Sequence, residues 1–212
     1  MSNEPLLLIV SSPSGAGKTT LTTALRERIS DIHFSVSHTT RKPRSNEANG
    51  REYHFVERPR FEDLIRAGEF LEWASVHDNL YGTSRGEIDR AQGARGLLFD
   101  VDHQGARQIK SRRPNAVGVF ILPPSMPELE RRLHGRASED EATIFKRFTV
   151  ASGEIQHYGL FDYVLVNDEI ERSIERLVAI FLAEECRRPR VAHQAERLLA
   201  EAQGFGGNEP PA

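Results

Sequence analysis

Residues 6 to 20 read Leu-Leu-Leu-Ile-Val-Ser-Ser-Pro-Ser-Gly-Ala-Gly-Lys-Thr-Thr, an apolar run that leads directly into a turn with two glycines. The run from Leu6 to Val10 predicts a strand that is buried on both faces of a parallel sheet. The periodic apolar residues that follow predict a helix from Lys18 to Ile29. A strand, a glycine turn, Lys-Thr and a helix, in this order, are the context that a phosphate-binding loop requires.

The residue types of this turn suit an anion. Gly15 and Gly17 allow the backbone to bend so that its N–H groups point inward, and the new helix adds its positive N-terminal end. Lys18 supplies a full charge, and the Thr19 hydroxyl is of the type that ligates Mg²⁺. Ser12 stands where the motif G-x-x-x-x-G-K-[ST] has its first glycine. The alternative is a glycine-rich turn between strand and helix that carries a surface lysine.

Composition indicates an ordinary soluble chain. Its 212 residues are 38% hydrophobic and 28% charged, which favours one compact domain with a lobe or insertion. The net charge of −3 gives no indication of nucleic-acid binding, and Cys186, the single cysteine, excludes an internal disulfide framework. No stretch approaches the length that spans a membrane, and the N-terminal residues do not resemble a signal peptide. We therefore expect a cytoplasmic protein with neither nucleic acid nor membrane as a partner.

Strands and helices alternate along most of the chain, which predicts an α/β fold with a parallel sheet and helices on both faces. Further strands are predicted at 96–102, 117–122 and 163–166, and helices at 87–95, 104–111, 138–155, 170–185 and after Pro124. Short alternating runs and the turn Asn49-Gly50 between residues 34 and 83 predict a small mixed lobe instead. Ligands of such sheets bind beyond the carboxyl ends of the strands, where the phosphate loop, Asp100 and Asp102 all lie.

A second anion site is indicated by Ser37-His38-Thr39-Thr40-Arg41-Lys42-Pro43-Arg44, in which three cations and several hydroxyls fall within eight residues. The planar fork of arginine matches phosphate oxygens, and Tyr53 and Tyr81 can add phenolic donors. The alternative is a solvated basic loop. Next to a phosphate loop, the cluster is better interpreted as a cradle for a second phosphorylated ligand.

Fragments in a fixed order carry a resemblance over about residues 5 to 190. They are Ser14-Gly15-Ala16-Gly17-Lys18, Ser37 to Arg44, Gly50-Arg51-Glu52-Tyr53, Phe70-Leu71-Glu72-Trp73, Tyr81-Gly82-Thr83, Asp100 to Gly105, Leu122-Pro123-Pro124-Ser125, Arg131-Arg132-Leu133 with Gly135-Arg136, Lys146-Arg147 and Val166-Asn167-Asp168. With them the chain resembles the guanylate kinases, nucleoside monophosphate kinases of the phosphate-loop type. The resemblance implies Mg²⁺-dependent transfer of a phosphoryl group from ATP to GMP, giving ADP and GDP.

The resemblance also implies how one domain, residues 1–212, is divided. The core would comprise residues 5–33, 84–132 and 158–190, with a GMP-binding lobe at 34–83 and a helical lid at 133–157. A C-terminal helix and a frayed tail would occupy residues 191–212. Whether copies of the chain form a homo-oligomer is left open.

Site residues follow from the same resemblance. ATP would be bound by Ser12, Pro13, Ser14, Gly15, Ala16, Gly17, Lys18, Thr19, Thr20, Arg132 and Arg136. GMP would be bound by Ser37, Arg41, Arg44, Tyr53, Glu72, Tyr81, Thr83 and Asp102. Lys18, Arg41, Arg136 and Arg147 would be catalytic, and Thr19 and Asp100 would hold Mg²⁺, partly through water.

The chemistry supports these assignments. Guanine presents a ring N–H beside an amino group, so one carboxylate at Glu72 can accept from both, whereas adenine has an unprotonated ring nitrogen there. An acceptor phosphate needs no general base, so catalysis reduces to positioning and charge neutralisation. The alternatives are a solvated Glu72 on either face of its strand, and lid arginines that form surface pairs with Glu128, Glu139 or Glu141. Ala137 and Gly153 depart from the expected lid pattern.

Two rival functions stay open at this point. One is a non-catalytic guanylate-kinase-like protein-binding module, which would have a degraded phosphate loop, whereas Lys18-Thr19 is intact here. The other is a phosphate-loop kinase of a phosphorylated sugar, which would have no use for Glu72.

Overall fold

The computed structural model of the protein describes residues 4–76, 78–135 and 141–205. The predictions that concern Arg136, Ala137, the start of the 138–155 helix and the tail from residue 206 onward lie outside the described residues.

A five-stranded parallel sheet forms the centre of the fold, in the order β2-β7-β1-β8-β9. Its strands are β1 (Leu6–Ser11), β2 (Ile32–Phe34), β7 (Gly96–Asp100), β8 (Val117–Leu122) and β9 (Tyr163–Val166). Strand β1 is buried along its whole length, and its residues alternate between two hydrophobic clusters on opposite faces of the sheet. This is the pattern of a strand covered on both sides, as its unbroken apolar run predicts.

Helices cover both faces of this sheet. The helices of the described chain are α1 (Lys18–Arg28), α2 (Arg58–Arg66), α3 (Gly86–Arg90), α4 (His103–Arg112), α5 (Met126–His134), α6 (Glu141–Ile155), α7 (Ile170–Glu185) and α8 (Arg188–Phe205), with a 3₁₀ turn at Tyr158–Leu160. Leu25 of α1 and Phe181 of α7 pack on one face, while Ala106 and Ile109 of α4 pack on the other. The predicted three-layer α/β class is therefore confirmed.

A second, smaller sheet lies between β2 and β7 in the chain, in the order β4-β3-β6-β5. Its strands are β3 (His38–Thr39), β4 (His54–Phe55), β5 (Phe70–Val76) and β6 (Asn79–Ser84). Strands β3 and β4 are parallel, and the other pairs are antiparallel. Phe61 of α2 packs against Phe70 and Leu80 in a small core of this sheet's own.

Several boundaries differ from the sequence predictions. Phe34 pairs with Leu98 in the parallel sheet, so the second sheet begins after it. Strand β7 ends at Asp100 because the Asp102 carboxylate accepts hydrogen bonds from the backbone N–H groups of Gln104 and Gly105 and thereby caps α4. Helix α3 ends at Arg90, shorter than the predicted 87–95 segment.

Among the described residues, no helix combines the length and the apolar character that crossing a bilayer requires.

Candidate active site

The turn between β1 and α1 has the conformation that its glycines predict. Gly15 and Gly17 have φ values of +92° and +97°, in the left-handed region that favours glycine. A Cβ at Gly17 would also collide with the side-chain nitrogen of Asn167. That nitrogen donates a 2.8 Å hydrogen bond to the Ala16 carbonyl, so Asn167, which directly follows β9, fixes the backbone of the loop.

Lys18 forms an ion pair with Asp100, the last residue of the neighbouring strand β7. Burial acts to lower the pKa of the Lys18 ammonium, but the charge and hydrogen bond of the Asp100 carboxylate outweigh it, so the pKa is raised. Lys18 therefore stays charged at physiological pH. Thr19 follows on the first, exposed turn of α1.

A cavity of about 170 Å³ connects the phosphate loop with the second sheet. Its polar lining comes from Lys18 of the loop, from the ends of the parallel strands and from the small sheet. These polar residues are Lys18, Ser37, Tyr53, Glu72, Tyr81, Asp100 and Asp102. The structure thus places cationic, phenolic and carboxylate groups from distant parts of the sequence around one space.

Glu72 faces this cavity and is only 3% exposed. Burial raises the pKa of its carboxyl group to about 7, although hydrogen bonds from the Thr83 side chain and backbone act in the opposite direction. The Thr83 hydroxyl lies 3.0 Å from the Ser37 hydroxyl. Glu72 is therefore not the solvated strand residue of the alternative interpretation.

Arg41 lies beside the cavity in a fixed orientation. Its guanidinium donates two hydrogen bonds of 2.9 and 2.8 Å to the Glu47 carboxylate and lies 5.4 Å from the centre of the Tyr53 ring. Glu47 also accepts a 2.7 Å hydrogen bond from the backbone N–H of Arg44. The basic loop is thus ordered around one carboxylate, which argues against a freely solvated loop.

Helix α6 contacts the phosphate loop through two of its side chains. Arg147 donates a 2.8 Å hydrogen bond to the Ser14 hydroxyl, and the Ser14 backbone N–H donates to Glu154 at 3.3 Å. Arg147 and Glu154 are seven residues apart, which is two helical turns, so they lie on one face of α6. The loop is thus in contact with one cationic and one anionic side chain of α6.

A protein-family model described as guanylate kinase matches residues 4–184 of the chain. The chain belongs to the guanylate kinase family. A guanylate kinase of Dechloromonas aromatica is 50% identical over 178 residues, which cover 84% of this chain and 88% of that protein. One from Aromatoleum aromaticum is 48% identical over 194 residues, covering 91% and 94% of the two chains. The solved guanylate kinase of Anaplasma phagocytophilum superposes with a TM-score of 0.72 at 34% identity, covering 89% of this chain and 90% of that one.

Within this guanylate kinase fold, the structure brings some of the residues assigned to nucleotide binding together and leaves others apart. Lys18, Asp100 and most residues assigned to GMP meet at the cavity. Arg44 is exposed outside the cavity lining, and Arg132 donates to Glu128 at 2.8 Å and to the Asn167 carbonyl at 3.0 Å. The pair with Glu128, the alternative to a nucleotide role for Arg132, is therefore present. Arg136 lies outside the described residues.

Three residues of the site carried no role in the sequence analysis. Asn167 was part of a matching fragment, and its polar side chain directly after a predicted strand was the available signal. Glu154 could have been found from its seven-residue spacing to Arg147. Glu47 carried no signal of its own, because only the folded loop shows it between Arg41 and Arg44. The helix α6 runs through Gly153, so that departure does not interrupt it.

Proposed function

We propose that this guanylate kinase transfers the γ-phosphoryl group of ATP to GMP, giving ADP and GDP, with Mg²⁺ as the cofactor of ATP. The observation that carries the proposal is that Lys18 of the phosphate loop and the buried Glu72 line the same cavity. A donor phosphate on the loop and a guanine at Glu72 are then held by one site. The residues around them supply the charge and hydrogen bonds that each substrate needs.

Guanine recognition is assigned to Glu72 and its neighbours. An ionised Glu72 accepts from the ring N–H and the amino group of guanine, which stand side by side on one edge of the base. Adenine presents a lone pair at the ring position, and a buried carboxylate facing it would be left unpaired. Asp102 lines the same cavity, and the Ser37–Thr83 hydroxyl pair lies beside Glu72. These groups support selection of GMP over AMP.

The GMP phosphate is assigned to the basic loop and the two phenols. Tyr53 and Tyr81 pack edge to face with ring centres 5.9 Å apart, and both line the cavity. Arg41 lies over the Tyr53 ring, so its charge is within reach of an anion between the phenols and the phosphate loop. Arg44, exposed on the same loop, adds a second cation.

Phosphoryl transfer in this site needs positioning and charge neutralisation. The attacking oxygen of GMP is already ionised, so a general base is not required. Lys18 remains charged and faces the cavity, where it neutralises the outer phosphates. Arg147 is assigned to the migrating phosphoryl group, and its hydrogen bond to Ser14 of the phosphate loop supports this role. Arg132 and Arg136 complete the proposed set of cations.

The residues present fit Mg²⁺. Thr19 offers a hydroxyl and Asp100 a carboxylate beside Lys18, and hard oxygen ligands of this kind are those that Mg²⁺ prefers. Among the described residues, no group of three or more His, Cys, Asp or Glu side chains forms a metal site of its own. Bound at Thr19 and Asp100, Mg²⁺ supplies positive charge to the phosphates of ATP.

A coupled assay of ADP release tests the proposal against its rivals. ATP and Mg²⁺ are supplied with GMP, AMP or ribose 5-phosphate as the acceptor. We expect turnover with GMP to exceed turnover with AMP by several orders of magnitude, because AMP would leave the buried Glu72 carboxylate without a hydrogen-bond partner. Turnover only with ribose 5-phosphate would favour a sugar-phosphate kinase. Lack of turnover with all three would favour the binding module.

A further inference from the structure

Strand β5, which carries Glu72, is the edge strand of the small sheet. An edge strand has one row of backbone groups that its own sheet does not pair. The pairing with β6 is also irregular immediately before Glu72, because the register shifts between Phe70 and Glu72. From Glu72 onward the strand pairs in register with β6 on one side only, so its other side is free to be fixed by another element.

A side chain of helix α4 takes the place of the missing strand neighbour. The Gln108 amide donates a 2.7 Å hydrogen bond to the Trp73 carbonyl, and the Trp73 backbone N–H donates to the Gln108 amide oxygen at 3.3 Å. One side chain thus pairs both backbone groups of the residue that follows Glu72. Only a side chain with a donor and an acceptor side by side can do this, and glutamine has both.

Two further positions of α4 secure the same stretch of β5. Arg112 donates to the carbonyl of Leu71, the residue that precedes Glu72. A Cβ at Gly105 would lie 2.8 Å from the Glu72 carboxylate, so glycine permits the close approach of helix and carboxylate. Positions 105, 108 and 112 share one face of the helix by their spacing. That face lies along β5.

We infer that Gln108 is a positioning residue for base recognition. By fixing the backbone of β5, it holds the Glu72 carboxylate at the place in the cavity where the carboxylate meets the edge of guanine. The inference rests on the proposed function. Helix α4 begins at the Asp102 cap, and Asp102 lines the cavity with Glu72. By binding β5, Gln108 fixes the distance between the Glu72 carboxylate on the small sheet and the Asp102 carboxylate at the start of α4. Its loss affects the base-binding end of the cavity and leaves the phosphate loop unchanged.

Steady-state kinetics of Gln108→Met test this inference, because methionine matches the length of glutamine and lacks both hydrogen bonds. The acceptors are GMP and inosine 5′-monophosphate, which lacks the amino group that Glu72 would bind. Two lost hydrogen bonds predict a kcat/KM for GMP that is lower by about tenfold, expressed mainly in KM. We expect the KM for ATP to stay within twofold and the preference for GMP over inosine 5′-monophosphate to fall at least threefold.

Arg107→Met is the matched control, because Arg107 is the exposed preceding residue of the same helix. It should leave every kinetic constant unchanged. If Gln108→Met fails to fold, Gln108→Glu replaces it, since glutamate keeps the length and the acceptor and loses the donor to the Trp73 carbonyl.

An unchanged preference between the two acceptors, or an equal loss for ATP and GMP, would overturn the inference and make Gln108 a structural residue. Absence of GMP phosphorylation by the unmodified protein would instead refute the proposed function. The two failures are therefore distinguishable.

Discussion

The ammonium group of Lys18 is paired with the carboxylate of Asp100, which joins the phosphate loop after β1 to the end of the adjacent strand β7. The pair holds Lys18 at the cavity wall, with its charge directed to the space that it shares with Glu72. It also places a carboxylate next to the group that would contact the phosphates. The cation and the carboxylate needed at a phosphate and metal site are thus already adjacent.

Replacing Lys18 with methionine should remove phosphoryl transfer and keep the fold. The loss of a preorganised charge at the reacting group predicts a kcat lower by about 10²–10³-fold. Measurement of ADP release, with far-UV circular dichroism to confirm folding, checks this. Arg66→Met, at an exposed position of α2, serves as the control and should retain full activity. Activity of Lys18→Met within tenfold of the unmodified protein would contradict the role of the loop.

GMP binding should depend on the ionisation of Glu72. Because burial raises the pKa of this carboxyl group to about 7, the fraction that can accept from guanine falls as the pH falls from 8 to 6. We therefore expect the KM for GMP to rise over this range, and Glu72→Gln to raise it by about 10²-fold at pH 8 with little change for ATP. The phosphate group of GMP titrates in the same pH range, so the pH profile of the KM for GMP in Glu72→Gln serves as the reference. If this profile has the same shape as that of the unmodified protein, Glu72 is excluded as the titrating group.

The same carboxyl group should affect stability in a defined direction. Its pKa is higher in the folded protein than the ordinary 4.5, so the folded state binds more protons between pH 4.5 and about 7. Stability is then lost as the pH rises through this window. Glu72→Gln abolishes this loss. The free energy of unfolding of the variant minus that of the unmodified protein should therefore be larger at pH 8 than at pH 5, by about 1–3 kcal/mol. Urea unfolding at the two pH values measures this difference, and a smaller difference at pH 8 than at pH 5 would show that burial does not destabilise the ionised Glu72.

Glu154 places a carboxylate on the Ser14 backbone N–H, a group that belongs to the proposed phosphate cradle. Its charge also helps to raise the pKa of Lys18. Glu154→Gln removes a negative charge that repels ATP, and we expect the KM for ATP to fall by roughly threefold, in line with the small energy of a partly screened charge pair. Glu130→Gln, exposed on α5, is the control. A higher KM for ATP in Glu154→Gln would indicate that the carboxylate supports nucleotide binding.

Local sequence signals predicted the parts of the site that are contiguous in the chain. The glycines of the phosphate loop, Lys18 and the strand before them were recognisable because a turn, a strand and a helix each leave a short-range pattern. The alternation of strands and helices gave the layer architecture in the same way. The burial of Glu72 was not predictable, since its strand pattern allowed either face and the deciding contacts come from Thr83 and α4.

Contacts between distant segments account for the rest. Gln108 pairs with Trp73, Asn167 with Ala16 and Glu154 with Ser14, and the last two pairs are more than 130 residues apart in the chain. The hydrophobic periodicity of a sequence describes one helix or strand at a time and therefore does not indicate such contacts. Strand β2 was missed for a related reason, since three residues of intermediate exposure at a sheet edge carry too short a pattern.

The central claim is that a donor phosphate chain on the loop and a guanine on Glu72 occupy one continuous site. The most direct test is a crystal structure with adenosine and guanosine joined 5′ to 5′ by a chain of phosphates, in the presence of Mg²⁺. We predict phosphates within hydrogen-bond distance of Lys18 and the guanine ring nitrogen about 2.7–3.2 Å from the Glu72 carboxylate. A guanosine bound outside the cavity, with Glu72 unengaged, would contradict the account.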